Sequence, residues 1–226
     1  MKKVILVDGN NLLFRSYYAT AYQGNFMKNS KGFPTNALYG FVNMINKIIN
    51  DEKPEYMLVA FDKGKTFRHD KYEDYKAGRI EMPNELKQQF PIAKEILTNL
   101  GIKWFEIDNY EADDIVGTLS KMIDDCDDYR GLIVSSDKDL LQLITDKVIM
   151  KMLKPKDYVM MTKETFFDVY GLTPEKMVDI KSLQGDSSDN IPGVKGVGEK
   201  TALKLLQEYG SLEAIYDNLA YIKGAV

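Results

Sequence analysis

The stretch KVILVDGNNLLF, residues 3–14, passes directly from a short apolar run to a helical pattern, with Asp8 at the junction. An apolar run of this length that ends in a polar residue is typical of a strand buried in a sheet. Three later stretches share this character: EYMLVAF at 55–61, IKWFEI at 102–107 and GLIVSS at 131–136. Helical patterns separate the four, which predicts an α/β fold with a mostly parallel sheet flanked by helices.

The helical pattern NELKQQFPIAKEILTNL, residues 84–100, contains Pro91. Proline lacks an amide proton and its ring clashes with the preceding turn. We therefore expect this helix to kink at Pro91 or a new helix to start there.

The composition limits the class of protein. The chain has 226 residues, of which 44% are hydrophobic and 28% charged, as in a globular domain. Cys126 is the single cysteine, so an internal disulfide is excluded and a cytoplasmic location is expected. The N-terminal apolar run is too short for a signal peptide, and no segment is long enough to span a membrane.

Acidic residues follow three of the four predicted strands: Asp8, Asp62, and Asp137 with Asp139. Open α/β sheets bind ligands beyond the carboxyl ends of their strands. A single aspartate in such a place is usually a turn former or a helix N-cap. Acidic residues at several strand ends along one edge are poorly explained by independent turns, so we expect them to form a site.

The stretch EADDIVGTL, residues 111–119, begins a predicted helix with Glu111, Asp113 and Asp114. Acidic residues in a first helical turn gain about 0.3–1 kcal/mol each from the helix dipole. That interpretation suffices if the side chains point into solvent. If they converge in a cleft, their repulsion requires a cation.

A third acidic group, Asp186 and Asp189, lies in LQGDSSDNIPGV, residues 183–194. With it the candidate metal ligands number nine: Asp8, Asp62, Glu111, Asp113, Asp114, Asp137, Asp139, Asp186 and Asp189. All are oxygen ligands, and the chain has one His and one Cys, so Mg²⁺ or Mn²⁺ is expected rather than zinc. So many carboxylates fit two ions, a common arrangement for phosphodiester hydrolysis.

The net charge of −4 does not by itself indicate a nucleic-acid-binding protein. Without the nine candidate ligands, however, 25 of the 34 Asp and Glu remain, against 30 Lys and Arg. The rest of the surface is then formally +5.

Residues 63–80, KGKTFRHDKYEDYKAGRI, interleave aromatic and basic side chains. Such a segment suits single-stranded nucleic acid, because bases stack on the rings and phosphates pair with the cations. The alternative is a solvated loop with incidental charge. Because it follows Asp62, we expect it to cover the acidic edge. His69 is expected to make a phosphate or structural contact rather than act as a catalytic base.

The run NIPGVKGVGEKTALKLLQEYGS, residues 190–211, combines a glycine-rich turn with a helix that starts near Glu199. Amides at a helix N-terminus bind phosphate. The pattern predicts a helix-hairpin-helix over about 182–210, which holds a DNA backbone without reading its sequence. The candidate contacts are Gly193, Lys195, Gly196, Gly198, Lys200 and Thr201.

Five motifs resemble, in order, those of the 5′-nuclease family, which includes the 5′→3′ exonuclease domain of bacterial DNA polymerase I and the flap endonucleases. They are LVDGNNLLFRSYYA, AFDKGKTFRHDKYEDYKAGR, YEADDIVGTL, SSDKDLLQL and LQGDSSDNIPGVKGVGEKTA. The resemblance implies a PIN-like nuclease domain over 1–160 with a helical arch at about 63–83. A helical region with the hairpin would occupy 161–226 and would be truncated at its C-terminus.

The resemblance also implies individual roles. Asp8, Asp62, Glu111 and Asp113 would surround one ion, and Asp137, Asp139 and Asp189 the other, with Asp114 and Asp186 close by. Lys76 and Arg79 would act on the scissile phosphate, and Tyr75 would stack on a base. Arg15, Arg68 and Tyr72 are further candidates for DNA contact, and a K⁺ ion would bind the hairpin.

The expected function is a Mg²⁺-dependent 5′→3′ exonuclease and 5′-flap endonuclease that acts on DNA in replication and repair and leaves a 5′-phosphate. Its partners would be DNA with 5′ ends or flaps, and a polymerase region in the native chain. The alternatives are a non-catalytic DNA-binding module that uses only the hairpin, and a PIN-type ribonuclease. The complete acidic set argues against the first, and the hairpin argues against the second.

Overall fold

A central sheet organises the computed structural model, which describes residues 1–21 and 27–222. Its strands are β1 (Lys2–Asp8), β2 (Tyr56–Phe61), β3 (Lys103–Glu106), β4 (Tyr129–Ser135), β5 (Val148–Leu153) and β6 (Tyr158–Met161). Their order in the sheet is β3-β2-β1-β4-β5-β6. Strands β1 to β5 are parallel, and β6 pairs antiparallel with β5 at one edge. The predicted α/β architecture is confirmed.

Helices cover both faces of the sheet and continue beyond it. They are α1 (Gly9–Thr20), α2 (Asn36–Glu52), α3 (Phe67–Lys71), α4 (Asn84–Lys87), α5 (Gln89–Asn99), α6 (Ala112–Asp124), α7 (Lys163–Tyr170), α8 (Met177–Gln184), α9 (Glu199–Tyr209) and α10 (Leu212–Asp217). Short 3₁₀ segments span Lys138–Leu143, Pro174–Lys176 and Leu219–Tyr221. Among the described residues, no helix has the length and apolar character needed to cross a bilayer.

Strand β1 shows why the sheet is covered on both faces. Ile5 and Val7 belong to a core with α1, α2 and α5, whereas Leu6 belongs to a second core with α6 and the C-terminal helices. Successive side chains of a strand point to opposite faces. A strand that is apolar on both faces must therefore be buried on both, as its unbroken apolar sequence predicts.

Pro91 and Lys151 each interrupt an apolar stretch, and the structure shows how each is accommodated. Helix α4 ends at Lys87 and α5 starts at Gln89, so Pro91 lies in the first turn of a new helix, as predicted. Strand β5 was not predicted, because Lys151 interrupts its apolar pattern. The Lys151 side chain is nevertheless buried, and its ammonium lies 2.7 Å from Glu52 at the end of α2.

Two helical glycines give a matched test of this packing. A Cβ on Gly40 of α2 would lie 2.7 Å from the Cβ of Ser16 in α1, whereas a Cβ on Gly117 of α6 would lie 3.6 Å from its nearest neighbour. We expect Gly40→Ala to lower the free energy of unfolding by about 1–3 kcal/mol through overpacking. Gly117→Ala should raise it by up to about 1 kcal/mol through helix propensity. Urea unfolding measures both; a Gly40→Ala protein as stable as wild type would contradict the close α1–α2 contact.

Candidate active site

Three acidic residues meet at the carboxyl edge of the sheet. Asp8 ends β1, Asp62 follows β2, and Asp137 follows β4 after one further residue. Strand β1 lies between β2 and β4, so this is the point where the strand order reverses. In open α/β sheets such a switch point forms the ligand-binding crevice. The parallel sheet therefore brings together residues that lie more than fifty positions apart in sequence.

Asp8 is held in place by protein donors. Its Oδ1 accepts a hydrogen bond of 2.9 Å from the Asn11 amide, and its Oδ2 accepts one of 3.0 Å from the Ser135 hydroxyl. The residue is only 6% exposed. Burial, together with the charges of Asp62 and Asp137, raises the pKa of Asp8 to about 7. Two donors thus orient a carboxylate that still lacks a compensating cation.

Asp62 is fixed by Asn10 and by the start of α6. Asn10 donates from its side chain to Asp62 at 2.9 Å and accepts from the Asp62 amide at 3.1 Å. The Ala112 amide donates to the other carboxylate oxygen at 2.7 Å. Burial raises the pKa of Asp62 despite these bonds. The position of α6 is therefore tied directly to the end of β2.

Asp113 is the carboxylate of the edge whose charge is least compensated by the protein. Its side chain forms no hydrogen bond or ion pair with any described residue. Burial, together with the charges of the neighbouring acids Asp8, Asp137, Asp62 and Glu111, raises the pKa of Asp113 to about 8. A half-buried carboxylate among four others, with oxygen donors only, fits a hard divalent ion.

Glu111 and Asp114 also cap helix α6. The Asp114 carboxylate accepts from the Glu111 amide at 2.9 Å and takes two bonds, of 2.7 and 2.8 Å, from the Arg68 guanidinium. Burial acts to raise the pKa of Asp114, but the Arg68 bonds outweigh it and the pKa is lowered. The acidic stretch therefore does both things that its sequence allows. Asp114 caps the start of the helix, whereas Asp113 points towards the other carboxylates of the sheet edge.

Lys181 of α8 joins two of the remaining acids. Its ammonium lies 2.6 Å from Asp139 and 2.8 Å from Asp186. Asp186 also accepts from the Ser188 amide and hydroxyl, at 2.8 and 2.6 Å. Although burial opposes the effect, Lys181 and Ser188 lower the pKa of Asp186. Asp137 has a different task, since it caps the 3₁₀ segment by accepting from the Asp139 amide at 2.9 Å.

The segment predicted as a helical arch is mostly non-helical. Only Phe67–Lys71 is helical, and residues 73–78 form turns. Lys76 and Gly78 have positive φ values of 58° and 87°, which an α-helix cannot contain. The prediction of a helical arch over 63–83 is therefore wrong in its secondary structure. The segment lies against the acidic edge, with Lys76 2.7 Å from Glu111.

Tyr75 and Arg79 complete this contact. The single proton of the Tyr75 hydroxyl lies between two carboxylates, with Asp189 at 2.8 Å and Glu111 at 3.1 Å, and Arg79 forms an ion pair with Asp189. The Tyr75 ring is 6% exposed, so it offers no face to a base in this conformation. Its stacking role stays a prediction that requires movement, whereas Tyr72 is 38% exposed.

A cleft of about 460 Å³ collects residues from both predicted ion groups, with Glu111, Asp113, Asp114, Asp139 and Asp189 in its wall. Among residues 1–21 and 27–222, no three acidic, His or Cys side chains already have the arrangement of a metal site. In this structure several of the predicted ligands pair with basic side chains of the protein, namely Arg68, Lys76, Arg79 and Lys181. The assignment of the nine ligands to ions stays a prediction.

The predicted hairpin lies between α8 and α9 and contains a two-residue ladder of β7 (Gly185–Asp186) and β8 (Ile191–Pro192). A Cβ on Gly193 would lie 2.2 Å from the Gln184 carbonyl carbon, so packing alone requires glycine there. Gly196 has φ +81° with open space around it. Lys195, Lys200 and Thr201 are exposed nearby and available to a phosphate backbone.

The two other predicted contacts have protein partners in this structure. Arg15 donates to the Lys154 carbonyl, and its role in DNA binding stays a prediction. The His69 Nδ1 accepts from the Thr66 amide at 3.1 Å, which is a structural contact at the start of α3. The sequence analysis did not identify Asn10, Asn11, Ser135 or Lys181. The two asparagines lie two and three positions after Asp8, but no sequence pattern marks Lys181.

A family model described as the N-terminal resolvase-like domain of the 5′-3′ exonuclease matches residues 3–171. The chain belongs to the 5′-3′ exonuclease family. A second model, described as the C-terminal SAM fold of the 5′-3′ exonuclease, matches residues 172–226.

Relatives of this 5′-3′ exonuclease family member include full-length polymerases. DNA polymerase I of Bacillus subtilis is 46% identical over 226 residues, which are 99% of this chain and 25% of that protein. The 5′-3′ exonuclease of B. subtilis is 45% identical over 223 residues, 97% of this chain and 75% of that protein. The chain thus spans about a quarter of the length of its polymerase relatives.

A solved structure, described as the bacteriophage T5 flap endonuclease in a pseudo-enzyme-product complex with DNA and metal ions, aligns with a TM-score of 0.77. It is 26% identical, over 100% of this chain and 81% of the other. These similarities confirm the predicted family, nuclease class and PIN-like fold. The domain boundary at 160 and the individual residue roles stay predictions.

The crowding of Asp113 makes stability depend on pH. A carboxyl whose pKa is raised from 3.8 to about 8 on folding weakens the fold as pH rises through that interval, because the unfolded chain ionises first. In EDTA, we expect Asp113→Asn to be more stable than wild type at pH 8, by at least about 1 kcal/mol. The difference should shrink towards pH 4. Denaturant titrations at both pH values measure it, and an equal difference at the two would contradict the assigned repulsion.

Proposed function

We propose that this chain is a divalent-metal-dependent 5′ nuclease that hydrolyses DNA phosphodiesters at 5′ ends and flaps and leaves a 5′-phosphate. The observation that supports this most directly is Asp113, a half-buried carboxylate without a protein partner among four other acids. Family membership supports the same activity. In replication and repair the substrate would be a junction of single strand and duplex.

Mg²⁺ is the proposed ion, with Mn²⁺ as a substitute, because hard oxygen ligands dominate the edge. Two bound ions would supply an activated water and would stabilise the charge on both reacting oxygens. Asp8, Asp62, Glu111 and Asp113 would hold one ion, and Asp137, Asp139 and Asp189 the other. Asp114 and Asp186, which pair with Arg68 and Lys181, would lie close by.

The basic side chains beside the cleft would position the substrate. Lys76 and Arg79 lie at the acidic edge, where a phosphodiester bound to the ions would also lie. Their charge would stabilise the scissile phosphate as negative charge develops. Exposed Tyr72, and Tyr75 once it has moved, would stack on unpaired bases. This stacking does not depend on the sequence, because every base has an aromatic face.

The hairpin would bind duplex DNA without reading its sequence. The amides of Lys195, Gly196 and Gly198 lie at an exposed turn that precedes helix α9. There they can donate hydrogen bonds to the oxygens of a DNA phosphate. Lys200 adds a positive charge in the first turn of that helix. Hairpin carbonyls would hold K⁺, which would bring a cation next to the DNA backbone.

A cleavage assay on labelled 5′-flap DNA, with Mg²⁺, EDTA and an RNA substrate, tests the proposed reaction. We expect cleavage only of DNA and only with Mg²⁺. Asp113→Asn should lower the single-turnover rate by at least about a hundredfold while DNA binding is kept or strengthened, since a charge near the phosphate is lost. Asp108→Asn is the matched control, because its exposed carboxylate pairs only with Lys63. A rate for Asp113→Asn within tenfold of wild type would exclude Asp113 as an ion ligand.

The hairpin is tested by the dependence of affinity on salt. Lys200→Ala should weaken binding to duplexes of unrelated sequence and reduce the slope of log affinity against log salt by roughly 0.9, because one counterion fewer is released. The single-turnover rate at saturating enzyme should stay unchanged. Lys204→Ala, one turn further along α9, is the control. An unchanged slope for Lys200→Ala would show that the hairpin does not contact the DNA backbone through this residue.

A further inference from the structure

Residues 72–79, here called the strap, bridge two parts of the acidic edge. At one end of the cleft the strap contacts Glu111 at the start of α6. At the other it contacts the hairpin loop, where the Asp189 carbonyl accepts from the Lys76 amide at 2.9 Å. Asn190 donates from its side chain to the Asp74 carbonyl at 2.9 Å. The strap therefore lies across the cleft rather than away from it.

The strap uses the same oxygens that the ions would need. Lys76 occupies one oxygen of Glu111 at 2.7 Å, and the Tyr75 hydroxyl occupies the other at 3.1 Å. Tyr75 and Arg79 likewise take the two oxygens of Asp189. One acid of each proposed ion group is thus fully engaged by this one segment.

The strap conformation depends on these contacts. Lys76 has a φ of 58°, a left-handed conformation that is unfavourable for a residue with a Cβ and persists only where surrounding bonds enforce it. Tyr75 is buried although its neighbours Asp74 and Ala77 are exposed. The attachment combines the carboxylate contacts and the Tyr75 ring with the bonds to the hairpin loop, which ion binding leaves in place and which keep the strap near the cleft.

We propose that the strap is a latch that closes over the cleft when divalent ions are absent and is released when they bind. The inference rests on the proposed metal site, because ions and strap compete for Glu111 and Asp189. A divalent ion brings twice the charge of an ammonium to a carboxylate, so ion binding replaces the strap contacts. Release exposes the Tyr75 ring and frees Lys76 and Arg79 for a substrate phosphate, so these three side chains become available to DNA only in the ion-loaded protein, whereas duplex binding by the hairpin does not depend on the latch.

Hydrogen–deuterium exchange on the DNA-free protein tests the latch. Peptides covering 72–80 should exchange slowly in EDTA and roughly tenfold faster in saturating Mg²⁺ or Mn²⁺. KCl at matched ionic strength should leave the exchange slow, which separates competition from general screening. Peptides from β1 and β4 serve as internal references and should not change.

Mn²⁺ binding, measured by electron paramagnetic resonance, provides the second readout. Lys76→Met removes one competitor, so we expect Mn²⁺ to bind roughly tenfold more tightly than to wild type. Arg79→Gln, at a more exposed position, should act in the same direction and guards against misfolding of the first variant. Lys65→Met is the matched control, because Lys65 lies in the same basic segment, is exposed, and has no ion pair with a described residue.

The outcomes separate the two proposals. Mn²⁺ binding together with faster strap exchange supports the latch. If Mn²⁺ binds but exchange at 72–80 is unchanged, the latch is overturned and the metal site is kept. The same holds if both folded variants bind Mn²⁺ with wild-type affinity. Failure of wild type to bind Mn²⁺ at all overturns the metal site and the latch with it.

Discussion

Repulsion between carboxylates in a crevice of limited solvent access is the constraint on which the rest of this structure depends. The parallel sheet places Asp8 and its neighbours at one edge, and burial raises the pKa of both Asp8 and Asp113 towards neutrality. The backbone topology cannot relieve this repulsion. It must be offset by hydrogen-bond donors, by cations of the protein or by bound ions.

The residues around the edge reduce this repulsion in two ways, through neutral hydrogen-bond donors and through basic side chains. Asn11 and Ser135 orient one acid through neutral donors. Arg68, Lys76 and Lys181 come from three different elements, and each brings its own segment against the cleft. The counter-charges therefore also determine tertiary arrangement, since the strap and the first hairpin helix are attached to the sheet edge by them.

The sequence predicted the features that depend on local pattern. Strands β1 to β4, the break before Pro91, the acidic edge and the hairpin all follow from apolar runs, proline geometry and glycine placement. Strand β5 was missed because burial of Lys151 depends on Glu52, almost a hundred positions away. For the same reason Lys181 carried no signal. The strap contacts Glu111 and Asp189 through hydrogen bonds of Tyr75 and ion pairs of Lys76 and Arg79, and such long-range contacts leave no mark in the local sequence pattern.

The proposed ligand set of the edge is divided between the two segments that the family models match. Asp186 and Asp189 lie in the hairpin loop of the 172–226 segment, whereas the other seven acids belong to 3–171. The boundary between the models is thus not a boundary between catalysis and DNA binding. If recombination exchanged the C-terminal segment among relatives, it would also replace two acids of the edge, Asp186 and Asp189, and the basic residue Lys181 that pairs with Asp186. If the proposed function holds, selection for duplex binding and selection for hydrolysis would both act on residues 172–226.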